Sequence, residues 1–134
     1  MKDKRKTIAR VAFLIYLATV LYLCFGQFSG MENAPKQFLG FDFDKVVHFL
    51  MFFPFPILFY LAFAKDSENA WKSIAKVLLI LALGSAIAAG TELVQDFIPN
   101  RASDIADFRA DFLSLGCSSA IVLIKDLYKT FRNA

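Results

Sequence analysis

Four long apolar runs, separated by short polar stretches, set the pattern of this 134-residue chain. A helix needs about 20 predominantly apolar residues to cross the hydrocarbon of a bilayer, and each run approaches or meets that length. The first covers residues 8–28 and carries no charge between Val11 and Met31; the second covers 46–64, with His48 as its one acidic or basic side chain. The third, 74–98, is free of charge between Val77 and Thr91 but takes in Glu92 and Asp96 near its end. The fourth, 105–124, opens with Asp107, Arg109 and Asp111 and is charge-free only from Phe112. The pattern predicts an all-α integral membrane bundle of four transmembrane helices, forming one domain over residues 1–134.

Composition agrees with lipid as the solvent. Hydrophobic residues make up 57% of the chain and mean hydropathy is +0.52, more apolar surface than a soluble domain of this size buries in one core. The basic residues give the orientation. With the N-terminus in the cytoplasm, that side collects Lys2, Lys4, Arg5, Lys6, Arg10, Lys65, Lys72, Lys76, Lys125, Lys129 and Arg132, while the other receives only Lys36, Lys45, Arg101 and Arg109. The bias places both termini in the cytoplasm. The same clustering at the ends of apolar runs argues against nucleic acid as a partner, despite a net charge of +3. Lys2, Lys4, Arg5 and Lys6 ahead of an apolar run also fit a secretory signal. No A-x-A site follows, however, and Leu23 before Cys24 is too large for lipoprotein processing, so the first run is expected to stay as a span. Cys24 and Cys117 both fall inside apolar runs and read as small buried side chains, and the sixteen phenylalanines as ordinary lipid-facing or interhelical surface. The outer loop of residues 29–44, with Phe38, Leu39, Phe41 and Phe43, is expected to lie on the interface; the inner loop of 65–73 is short and polar, with Trp71 suited to the headgroups.

This topology gathers the chemistry at the extracytoplasmic face. Asp44, Lys45 and His48 lie where the second span begins; Glu92, Gln95 and Asp96 lie where the third ends; Arg101, Asp104, Asp107 and Asp111 occupy the connection into the fourth and its first turns. No comparable cluster is expected at depth on the inner face. Residues three and four apart share a helix face. Asp44 can therefore accept from the His48 ring and fix its tautomer, provided the helix starts at or before Asp44. Gly84, Ala88, Thr91 and Gln95 form one stripe with Glu92 at its edge; Asp104, Asp107, Asp111, Ser114 and Ser118 form another, with Arg109 on the opposite side. Small residues let helices approach closely, so the two stripes are expected to face each other around a polar cavity that opens outward. A charge at a helix centre in hydrocarbon costs about 2.5 to 3.5 kcal/mol on insertion scales, so Glu92 and Asp111, the deepest of the set, call for a partner or a cavity. The competing reading is a salt-bridged cap lying in the headgroup layer.

The run D-K-V-V-H-F at 44–49, followed by E-L-V-Q-D-F-I-P-N-R at 92–101 and then Asp107, resembles the VanZ-like family, which is marked by D-K-x-x-H, E-x-x-Q-x-F-x-P-x-R and an Asp leading into the last helix. The resemblance covers residues 44–119. Where that family usually has D-x-x-x-N-x-x-G, this chain has Asp107, Asp111 and Ser114. The resemblance implies a small multi-pass protein of the bacterial cytoplasmic membrane, and the family's name comes from resistance to the glycopeptide teicoplanin. It does not settle a molecular activity.

Two functions follow for the same residues. In the first, the site binds an envelope molecule at the outer leaflet, a lipid-linked precursor or a lipophilic glycopeptide, with Arg101 gripping a phosphate or carboxylate and His48 and Glu92 orienting the headgroup. In the second, the site is an enzyme: His48 acts as acid or base while Glu92 and Asp107 hold a divalent cation, Mg or Mn, or polarise water. No Ser or Cys nucleophile motif supports covalent catalysis. Conduction is the weakest reading, because residues 77–83 are purely apolar, and the oligomeric state is left open.

Overall fold

The computed structural model describes the backbone of residues 2–25, 37–38, 41–95, 97 and 105–132, and the side chains of 3–23, 46–94, 97, 105 and 107–132. The fold is all-helical apart from one minimal β pairing. Helix α1 is Lys2–Phe25, α2 Phe43–Phe52, α3 Pro54–Phe63, α4 Ala70–Gln95 and α5 Ile105–Arg132. Strands β1 (Gln37–Phe38) and β2 (Phe41–Asp42) pair antiparallel ahead of α2, with Phe38 opposite Phe41, in what the sequence pattern reads as a plain interfacial loop. By length and composition, three stretches among the described residues can cross a membrane: Asp3–Leu23, Val46–Phe63 and Ala70–Val94.

The bundle buries an apolar core that includes Phe13, Phe52, Phe55, Ile80 and Leu115, but it also buries many polar groups while leaving large aliphatic side chains exposed. Its interior holds His48, Thr91, Glu92, Asp107, Asp111, Ser114, Ser118, Ser119 and Asp126, whereas Leu14, Leu78, Leu79, Leu93, Leu113, Ile121 and Ile124 point outward. Soluble proteins bury such aliphatic side chains; lipid accepts them on the exterior and leaves the polar groups to find partners inside.

Two expected elements change. The second apolar run is divided into α2 and α3 at Phe53, where the hydrogen-bond ladder is interrupted, yet Phe53 keeps helical torsions (φ −57°, ψ −41°) and Val46–Phe63 remains one membrane-length stretch. Pro54 and Pro56 have no backbone N–H, which interrupts the hydrogen-bond ladder there while the Phe53 N–H still donates to the Phe49 carbonyl at 3.1 Å. Carbonyls just before the break are capped from neighbouring helices, that of Met51 by the Tyr16 hydroxyl of α1 and that of Phe49 by the Ser114 hydroxyl of α5. The fourth run extends to Arg132, eight residues past its apolar end, because the polar tail 125–132 carries buried Asp126 and Thr130 on the same stripe as Ser118 and Val122.

Packing follows the small-residue stripes. Gly84 of α4 sits against Leu115 of α5 and Phe55 of α3 so closely that a Cβ there would lie 2.8 Å from Leu115 and 3.0 Å from Phe55. Phe13 of α1 nests among Phe55, Phe59 and Phe63 of α3, with ring centroids 5.6 to 5.7 Å away. The phenylalanines thus hold α1 to α3. Lys6 and Arg10 of α1 donate to the carbonyls of Ala64 and Ala62, each at 3.1 Å, which neutralises the C-terminal end of α3. Those bonds set the start of α1 beside the end of α3, and Thr130 near the end of α5 reaches the Ser67 carbonyl, so the start of α1 and the end of α5 lie at one end of the bundle. Cys117 corrects an expectation: it is exposed on the outer surface of α5, one position before the buried seam resumes at Ser118.

Candidate functional site

At the end of the bundle away from the termini, three helices bring four ionisable side chains together. His48 comes from the middle of α2, Glu92 from the last turn of α4, and Asp107 and Asp111 from the first turns of α5. All four are buried, from 8% exposed at His48 to 0% at Asp111. His48 Nδ1 lies 2.9 Å from Asp111 Oδ1 and 3.8 Å from Glu92 Oε1, while its other nitrogen, Nε2, lies 3.6 Å from Asp107 Oδ2. The imidazole is the hub, with a carboxylate facing each ring nitrogen.

The predicted stripes are the interhelical seams. Gly84, Ala88 and Thr91 are buried on α4, and Asp107, Asp111, Ser114 and Ser118 are buried on α5, with Arg109 exposed on the far side. Of the residues expected at the site, His48, Glu92, Asp107 and Asp111 are assembled. Arg101, Asp104 and Asp96, and the side chains of Asp44, Lys45 and Gln95, lie outside the described residues. Helix α2 does begin at Phe43, as the Asp44–His48 spacing requires. The hydrogen-bonded partner of His48 among the described residues is Asp111. The cation set also differs from the expected pair of Glu92 and Asp107: one ligand atom each from His48, Glu92 and Asp111 lie within 4.8 Å of one another.

The opposite end of the bundle holds a second buried polar cluster, which corrects the expectation that no such cluster lies there. Asp126, 0% exposed on α5, accepts from the Tyr60 hydroxyl at 2.7 Å, the Ser67 hydroxyl at 2.8 Å and the Lys76 ammonium at 3.2 Å. Thr130 donates to the Asp126 carbonyl at 2.8 Å and lies 3.2 Å from the Ser73 hydroxyl. Asp126 lies beyond the apolar run that ends at residue 124. Burial alone would raise its pKa, but bonds from Ser73, Tyr60, Ser67 and Lys76 outweigh that and hold it at about 2. The signal was present in the sequence: Lys76 and Asp126 each lie one helical turn or less beyond a charge-free run, on stripes that continue the small-residue seams.

No family model matches the chain, and no solved structure matches it. A segment of 80 residues, 60% of this chain, is 38% identical to an uncharacterized protein of the fission yeast Schizosaccharomyces pombe, of which it covers 45%. The chain thus matches less than half the length of that relative.

Proposed function

We propose that this chain is a VanZ-like protein that crosses the membrane four times with both termini in the cytoplasm, and that its extracytoplasmic cluster binds the phosphate-bearing headgroup of a lipid-linked envelope molecule. The observation that carries this reading is the convergence of His48, Glu92, Asp107 and Asp111 from three helices into one buried site. A cap in the headgroup layer would leave these groups in water; instead they meet inside the bundle, where ionisable groups are retained for a ligand or a pathway. Support for the fourth span comes from the length of α5, whose 28 residues reach about 42 Å, more than the hydrocarbon thickness. Its charges fall on the buried seam or near its ends, and Ile121, Ile124 and Leu113 face outward.

Orientation is supported by a cavity at the end that holds the termini, lined by Arg5, Lys6, Lys65, Lys125 and Lys129. Basic residues favour the cytoplasmic side, which puts the His48 cluster on the other. Likeness to a fungal protein favours a headgroup common to both kinds of organism, a polyprenyl or glycerolipid phosphate, over a wall-directed glycopeptide. Arg101, close in sequence to the cluster, supplies the cation for the phosphate in this reading.

The test is retention of a polyprenyl phosphate by the purified protein, followed by mass spectrometry of the lipid. Wild type should retain it, His48→Ala and Glu92→Ala should lose at least tenfold in affinity, and Glu68→Ala in the inner loop should behave as wild type. Equal retention by all four proteins would overturn the assignment. A chemically altered lipid, lost with His48→Ala, would make the site catalytic. A cysteine placed at Asn33 should be labelled by an impermeant reagent in intact cells and one at Asn69 should not; the reverse would overturn the orientation.

A further inference from the structure

Donors and acceptors do not balance in the His48 cluster. Asp111 Oδ1 takes the imidazole at 2.9 Å, but the second oxygen of the same fully buried carboxylate, Oδ2, has no hydrogen-bond partner. A buried carboxylate oxygen left without a donor is strongly disfavoured, so a native bundle keeps one only where something else approaches it. The Asp126 cluster in the same molecule makes the contrast, since there a lysine and two hydroxyls are supplied by the chain.

The geometry points to a divalent cation of the manganese type held by His48, Glu92 and Asp111, with Asp107 as the residue that orients the imidazole. Their ligand atoms already lie within 4.8 Å of one another, with His48 Nδ1 2.9 Å from Asp111 and 3.8 Å from Glu92. Ligand atoms around an octahedral ion bonded at about 2.1 Å are about 3 Å apart when adjacent and about 4.2 Å when opposite, so the His48–Asp111 pair fits as it stands and the Glu92 oxygen must draw in by about 1 Å. One imidazole with two carboxylates suits Mn2+ better than Mg2+, which prefers an all-oxygen shell, or structural Zn2+, which takes cysteine and more histidine. A cation on Nδ1 requires the remaining ring proton on Nε2, and there Asp107 Oδ2 stands 3.6 Å away, the carboxylate that commonly backs a metal-bound histidine. Two carboxylates neutralise the ion, and three protein ligands leave positions open. This deepens the proposed function, because open positions on a neutralised cation accept phosphate oxygens where a bare cluster of carboxylates would repel them.

The experiment uses the full chain in detergent, stripped with chelator and titrated with MnCl2 alone, the free ion being followed by electron paramagnetic resonance. Wild type should bind one Mn2+ per chain saturably, with nitrogen coupling in pulsed spectra from the His48 ring. Asp111→Asn and Glu92→Gln should each weaken binding at least tenfold, His48→Gln should remove the nitrogen signal, and Asp107→Asn should weaken binding about tenfold. Glu68→Gln should change nothing. Absence of saturable binding, Asp111→Asn binding like wild type, or bound Mn2+ without nitrogen coupling would each overturn the site. If Asp111→Asn does not fold, Glu92→Gln and the wild-type nitrogen signal decide. No lipid is present, so loss of lipid retention with intact Mn2+ binding sinks the proposed function alone, and the converse sinks this site alone.

Discussion

Two buried aspartates on one face of α5 have opposite surroundings. Asp126 is met by an ammonium and two hydroxyls from α3, α4 and the loop between them, so three neighbouring elements are tied to α5 at that end. Asp111, four turns away, is met by an imidazole that also faces two other carboxylates, and one of its own oxygens has no partner. Burial is equal at the two positions; completeness of the surroundings differs. A network that satisfies itself holds a fold together, and removing one member exposes the rest. A network short of donors is suited to receiving something from outside. Sequence position alone does not make this distinction, because both aspartates sit at the margins of the same apolar run.

The comparison can be broken most severely at the Asp126 end. Asp126→Ala leaves the Lys76 ammonium, 18% exposed, without its carboxylate, and breaking a buried pair in this way should cost about 3 kcal/mol or more in unfolding measured in detergent. If the loss were only a few tenths of a kcal/mol, the Asp126 network would not be a structural tie. Gly84→Ala tests the seam between the two clusters. Its new methyl meets Leu115 and Phe55 at 2.8 and 3.0 Å, and an overpacking penalty of about 1 to 3 kcal/mol is expected in the same assay.

Acid sharpens the contrast further. The Asp126 pKa lies at about 2 in the folded chain against an ordinary 3.8. Because the folded value is the lower one, the stabilisation is fully present above pH 3.8 and is lost as pH falls from there through 2. Thermal midpoints of wild type should therefore drop across that window, and Asp126→Asn should lack this part of the drop. The smallest effect is expected at the His48 end. Asp111→Asn keeps an acceptor for His48 and removes a buried charge with an unpartnered oxygen, so stability without ligand should stay within about 1 kcal/mol of wild type.

Much of this arrangement was legible in the chain. The stripes Gly84-Ala88-Thr91 and Asp107-Asp111-Ser114-Ser118 became seams because spacing fixes the face of a helix whatever its partner. Their convergence with His48 followed from the alternating direction of successive long helices, which returns each second connection to the same end. The interruption before Pro54 was legible in the proline itself but is hidden in a hydropathy reading, where Pro54 and Pro56 lie unmarked among apolar residues. The Asp126 cluster was hidden for another reason. Lys76 and Asp126 look like topology charges at the ends of apolar runs, and only packing of α4 against α5 turns them inward to meet Tyr60 and Ser67. Cys117 shows the limit from the other direction, since an apolar run does not say which of its faces lipid takes.

The division of labour between the two aspartates is tested most directly by thermal unfolding of wild type, Asp111→Asn and Asp126→Asn in detergent, each with and without Mn2+ and polyprenyl phosphate. The account expects Asp126→Asn to start from a lower midpoint yet keep the rise that ligand produces, and Asp111→Asn to start near the wild-type midpoint yet lose that rise. The opposite pairing, or a ligand-induced rise that survives in both variants, would contradict it.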